Sequence, residues 1–116
     1  MGYTTVVLEG ILGNASAEKV LLYIEQYGEG YATAIAKNFD GVSLHMVQRQ
    51  LERFERAGAL VSSLKGRTRL YTWNSRYPFL KELRALLARG LEVLPASERK
   101  RYFSERRRPR RAGKPA

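Results

Sequence analysis

Cysteine is absent from the 116 residues, and histidine occurs once, at His45. Without cysteine the chain forms no disulfide, no thiolate metal site and no thiol nucleophile, which suits a reducing, cytoplasmic setting. One histidine cannot build a His-rich metal site or the usual Ser-His-Asp triad. The carboxylates are scattered without an Asp-x-Asp or Glu-x-x-His repeat, and no G-x-x-x-x-G-K-[ST] phosphate loop occurs. Long apolar runs are missing as well, since none approaches the ~18 residues of a membrane span. "YTTVVLEGIL", residues 3–12, is too short and too poor in leading positive charge for a secretory signal. These absences argue against an enzyme, a bound metal or cofactor, and a membrane protein. The length suits one domain with a modest core.

Positive charge is plentiful and unevenly placed. The formal net charge is +10; residues 1–64 hold 5 Lys/Arg against 7 Asp/Glu, and residues 65–116 hold 16 against 4. A skew from −2 to +12 points to a polyanionic partner, either nucleic acid or an anionic membrane surface. The competing reading is a solubilising tail.

No internal repeat is visible. Residues 3–12 could form a strand or a short helix. "NASAEKVLLYIEQYGEG" predicts a capped helix from about 15 to 27, with Val20, Leu21, Ile24 and Tyr27 as its inner stripe and Gly28 and Gly30 ending it. "YATAIAKNFDG" predicts a shorter helix with Ala32, Ile35, Ala36 and Phe39 near helical spacing, and "FDGV" a turn. "VSLHMVQRQLERFERAGALV" then predicts a third helix, with Ser43 as N-cap and Gly58 as stop. On a 100° wheel Leu44, Val47, Leu51 and Phe54 make one apolar stripe. His45, Arg49, Glu52 and Arg56 lie roughly opposite, with Gln48 and Arg53 on the flanks.

Beyond Gly58 the period changes. "ALVSSL" and "RLYTWN" are rich in β-formers, and "KGRT" between them is a glycine-bearing turn, so a β-hairpin is expected with Lys65, Arg67 and Arg69 at its tip. Tyr71 and Trp73 share one strand face, which suits packing on the core. "RYPFLKELRALLARGLEVL" predicts a helix from around Pro78. Leu80, Leu83, Leu87 and Leu94 follow a heptad register, Phe79, Leu86 and Leu91 widen the stripe, and Gly90 weakens it. This row serves either the internal core or a dimer seam; we favour the seam. Residues 95–116 hold 9 basic and 2 acidic residues, and the proline in "RRRPRR" breaks any helix through it. They are expected to form a flexible basic arm following a 1–94 domain. The alternative is that "SERKRYFSERRR" folds back, anchored by Tyr102 and Phe103.

The order helix, short helix, turn, basic-faced helix, hairpin, helix is mainly α with a small β-hairpin, and it has a mechanical logic on duplex DNA. A helix fits the major groove, where base edges carry a readable donor and acceptor pattern. A second helix braces it, and a basic hairpin tip can lie over adjacent phosphates or the minor groove. In "YATAIAKNFDGVSLHMVQRQLERFERAGALV", "KGRTRLYTWN" and "SRYPFLKELRALL" the chain resembles the winged helix-turn-helix transcription regulators, especially their ArsR-like branch, over roughly residues 14–92. The resemblance implies sequence-specific binding of double-stranded DNA by a homodimer. It implies a groove-facing set of Ser43, Leu44, His45, Gln48 and Arg49, with Arg53 beside it. It also implies a wing of Lys65, Gly66, Arg67, Thr68 and Arg69, and a dimer contact through Leu80, Leu83, Leu87 and Leu91. Metal sensing, which many ArsR-like members perform through cysteine or histidine clusters, does not carry over to this composition. Gln48 can pair with adenine and Arg49 with guanine, whereas Leu44 lies close enough to the apolar stripe that core packing suits it better. Two other classes remain open on sequence alone: a basic RNA-binding protein led by its tail, and a winged helix that docks on protein.

Overall fold

A computed structural model describes residues 7–104. The chain is mostly helical, with one small antiparallel sheet. A single helical turn, α1 (Glu9–Leu12), precedes α2 (Ala15–Tyr27), which is the centre of the fold. Asn14 caps α2, its Oδ1 accepting from the Ala17 N–H at 2.8 Å, and Gly28 ends it with φ +87. That left-handed conformation is cheap for glycine alone. Strand β1 (Glu29–Tyr31) runs straight into α3 (Ala32–Asn38), and a turn through Gly41 leads to α4 (Leu44–Arg56). Strands β2 (Leu60–Lys65) and β3 (Thr68–Trp73) make the expected hairpin. Helices α5 (Leu80–Val93) and α6 (Ala96–Tyr102) follow.

The sheet order is β1-β3-β2, with Glu29 opposite Thr72, Tyr31 opposite Leu70, Leu60 opposite Trp73 and Lys65 opposite Thr68. Strand β1 is a correction, because "GEGY" reads as a helix stop. Three residues show no alternation of their own, and they become a strand only because β3 offers them a free edge.

The core joins Leu21, Leu22 and Ile24 of α2 to Ile35, Val47, Leu51, Leu60 and Leu87, all fully buried. Leu87 therefore belongs to the internal core and not to a dimer seam. Leu83, Leu86 and Leu91 pack half-buried against the same core, and the Arg84 guanidinium reaches Glu25 of α2 at 2.8 Å. A heptad row shows that a helix has an apolar face; here the nearest apolar surface is α2 of the same chain. Gly90 is buried where α5 meets Leu8 and α2, and a Cβ there would come within 2.9 Å of Leu8 Cδ1. The missing side chain lets Leu8 pack.

The boundary expected at residue 95 also moves. Helix α6 folds onto the domain and buries Tyr102 and Phe103. The Tyr102 ring stacks on Phe39 with centroids 5.4 Å apart. Its carbonyl accepts from Tyr27 Oη and from Asn38 Nδ2, each at 3.0 Å, and Tyr27 Oη also reaches the Ser104 carbonyl at 3.1 Å. Arg101 pairs with Asp40. Two adjacent aromatics need no long amphipathic stripe when a pocket between α2 and α3 receives both and supplies donors for the carbonyls at the helix end. The expectation of a basic arm now falls on residues 105–116, which lie outside the described residues.

Candidate nucleic-acid interface

Helix α4 is held by its two ends and one stripe. Ser43 Oγ accepts from the Met46 N–H at 3.1 Å, the N-cap the sequence suggests. At the other end the N–H groups of Gly58 and Ala59 donate to the Glu55 and Phe54 carbonyls, both at 3.0 Å, with Gly58 at φ +94. This is a Schellman closure, and it aims the chain directly into β2. Val47, Leu51 and Phe54 are the buried stripe. Leu44 is not part of it, being 39% exposed at the first turn, which corrects the assignment of Leu44 to the core. The buried stripe starts one turn later, at Val47, while Val42 in the turn before α4 packs against the core.

Ser43, Leu44, His45, Gln48 and Arg49 are all exposed, so the structure brings the expected reading set onto one open surface. That surface has two flanks. On one, His45 and Arg49 share a shallow depression with Asn14, Ala15 and Ser16 at the start of α2. On the other, Gln48 and Glu52 border a cleft of about 270 Å³ whose far wall is Arg67, Thr68 and Arg69 of the hairpin. Tyr31 and Thr33 close the cleft from the β1–α3 junction. Sequence reasoning missed these two, because their place depends on β1 joining the sheet.

The hairpin tip is a two-residue turn, Gly66-Arg67, with Gly66 at φ +66 and no positive φ at Arg67. Glycine at the first central position is what a type II′ turn requires. Thr68 Oγ1 donates back to the Lys65 carbonyl at 3.1 Å and tightens the loop. Lys65, Gly66, Arg67, Thr68 and Arg69 are exposed. The hairpin is also tied to α4. Arg69 Nη1 donates to Ser62 Oγ at 3.1 Å, and Ser62 Oγ donates to Glu55 Oε2 at 2.8 Å. Burial raises the Tyr71 hydroxyl pKa above its ordinary value, Glu55 and Glu52 push it the same way, and Arg69 opposes them.

Arg53 is a correction. Its Nη2 donates to the Leu12 carbonyl at 2.9 Å, its Nη1 to Gln50 Oε1 at 3.0 Å, and its guanidinium lies 4.9 Å from the Phe54 ring centroid. It fastens α1 to α4, and so stands apart from the reading set. Among the described residues no group of three or more His, Cys, Asp or Glu side chains is placed to hold a metal ion, and no helix is long and apolar enough to cross a membrane.

No family model matches the chain, and no curated protein does. Among solved structures it is similar to that of AF1382 from Archaeoglobus fulgidus, with a TM-score of 0.51 and 17% identity, over 72% of this chain and 94% of that one. At such low identity the likeness concerns the fold alone.

Proposed function

We propose that this protein is a winged helix-turn-helix transcription regulator, similar to the ArsR-like branch but without its metal-sensing residues. In this reading it acts in the cytoplasm on double-stranded DNA and binds a palindromic operator as a homodimer. Helices α3 and α4 are the helix-turn-helix, and the β2–β3 hairpin is the wing. The observation that carries the reading is the cleft shared by Gln48 of α4 and Arg67 and Arg69 of the hairpin. With His45 and Arg49 exposed on the same helix, it forms one surface on which a major groove and its flanking phosphates fit together. The hairpin that carries the basic turn is fixed to this helix, because Ser62 bridges Arg69 to Glu55.

Selection of bound fragments from a random duplex pool tests the reading. A two-fold symmetric motif should be enriched, and the affinity for it should fall steeply with salt. Neutralising roughly 6–10 phosphates costs about 10³–10⁵ in affinity between about 50 and 200 mM salt. Absence of enrichment, with RNA or single strands bound equally well, overturns it. For the homodimer, the burial of Leu87 removes that residue from the contact and leaves Leu80, Leu83 and Leu91 at the edge of the α5 face. Phe79 and Ile11, 63% and 69% exposed, are the apolar side chains most open to a partner there. Phe79→Glu combined with Ile11→Glu should yield monomers in sedimentation and leave the fold intact. A wild-type protein already monomeric at micromolar concentration contradicts the dimer.

A further inference from the structure

The open face of α4 has a flank that the hairpin does not serve. On that side the first turn of α2 meets the depression it shares with His45 and Arg49, a space of about 380 Å³. The Ala17 N–H is satisfied there by the Asn14 cap, but the N–H groups of Ala15 and Ser16 have no partner among the described residues. Free groups of this kind carry the positive end of a helix dipole, and α2 is 13 residues long. A second feature points the same way. Ser16 is only 5% exposed, yet its hydroxyl has no hydrogen-bond partner among the described residues, and the residue lines the depression. The carbonyl four residues back, where a helical serine commonly donates, belongs to Leu12 and accepts from Arg53 Nη2 at 2.9 Å. A buried hydroxyl left unpaired is costly, so it marks a place where an acceptor belongs. No carboxylate lines the depression. Glu18, the acid of the first turn, is buried and accepts from the Val7 and Leu8 N–H groups. Donors and cations without an acid make a seat for an anion.

The dimensions of the groove say which anion. A helix with its side chains is about 10–12 Å across and the major groove about 12 Å wide, so a helix lying in it has a phosphate strand on either side. The hairpin stands at one flank of α4 and the depression at the other. We infer that the first turn of α2 binds a backbone phosphate of the duplex. The Ser16 hydroxyl and the Ala15 and Ser16 N–H groups donate to its oxygens, and the His45 imidazole adds a donor from α4. Arg49 borders the seat, keeps its assignment to a base edge, and adds positive potential. The inference rests on the DNA reading and gives the second strand its contact. Phosphates are alike beside every base, so the seat adds affinity and register without altering the preferred motif.

The test combines two variants with a duplex altered one phosphate at a time. Ser16→Ala removes only the unpaired hydroxyl, so it should melt with the parent and select the same motif. It should bind the selected duplex and a random duplex about tenfold more weakly, the effect of one hydrogen bond to a charged group. Ala15→Asp puts an acid at the first helical position, which suits the helix dipole and repels phosphate. It should melt no lower than the parent and lose more affinity than Ser16→Ala on both duplexes. Replacing single phosphates of the selected duplex by neutral methylphosphonate should weaken the parent at several positions. At one phosphate of each half-site Ser16→Ala should abolish that sensitivity. Undiminished binding by both variants, or a methylphosphonate profile that Ser16→Ala leaves unchanged, overturns the seat and leaves the DNA reading standing. A parent protein that binds no duplex at about 50 mM salt overturns both.

Discussion

Helices α2 and α4 are 13 residues each and pack on one another, yet one is closed and the other open. In α2 every residue from Ser16 to Leu22 is buried, together with Ile24 and Tyr27, whereas α4 buries only Val47, Leu51 and Phe54. Burial of α2 extends to charged side chains that then need partners. Glu18 accepts from the backbone N–H groups of Val7 and Leu8 at 3.1 and 3.0 Å, and burial lowers the Lys19 pKa below its ordinary value. In α4 His45, Gln48 and Arg49 are exposed instead. A helix enclosed on all sides holds a fold together, and a helix of equal length held by one stripe and two caps presents a surface. Substitutions in the two should therefore separate stability from recognition.

The largest effect belongs to the enclosed side. Deleting residues 95–116 removes Tyr102 and Phe103 from the pocket between α2 and α3. At about 3–5 kcal/mol for each lost buried aromatic, the shortened chain should lose most or all of its cooperative melting transition. Ending the chain at Ser104 should leave that transition in place. Next comes Leu21→Ala in α2, which should destabilise by about 2–5 kcal/mol in denaturant titrations and weaken recognition only through loss of folded protein. On the open side, Gln48→Ala and Arg49→Ala should leave stability within about 0.5 kcal/mol of the parent. Each should cost about 1–3 kcal/mol on the selected duplex and little on random DNA. A uniform loss on both would make them phosphate contacts. Smallest is Ser43→Ala, which should cost about 1 kcal/mol of stability through the lost cap of α4. A change in selected motif with Ser43→Ala would give this cap a share in readout.

The contrast between the two helices was only half legible in the sequence. The bounds of α2 could be read because Asn14 and Gly28 mark its ends, and the hairpin because two β-rich runs flank "KGRT". The stripe of α4 was legible from Val47 onward. Its first turn was not, since a wheel assigns Leu44 a direction but cannot say where the core stops. Arg53 looked like a member of the exposed basic face because helix spacing does not reveal that α1 turns the Leu12 carbonyl toward it. Leu87 illustrates the same limit, as an apolar row cannot name its partner. Helix α6, anchored by Tyr102 and Phe103, was the less favoured of two readings for a different reason. Three like charges precede Tyr102, and pattern reading gives them more weight than two aromatics. In three dimensions Arg99, Lys100 and Arg101 stay in solvent while Tyr102 and Phe103 turn inward. Of the site, the reading set and the tip were visible in the chain, but the cleft joining them exists only because β1 completes the sheet.

At 116 residues the protein is small enough for amide chemical shifts to be followed residue by residue as duplex is added. The claim that the open face of α4 and the hairpin form one recognition surface predicts the largest changes at 43–49 and 65–69, with α2 beyond its first turn changing least. It also predicts that Tyr31 and Thr33, on the wall of the shared cleft, move with them. Changes centred on α1 and α5, or confined to residues beyond 104, would contradict it.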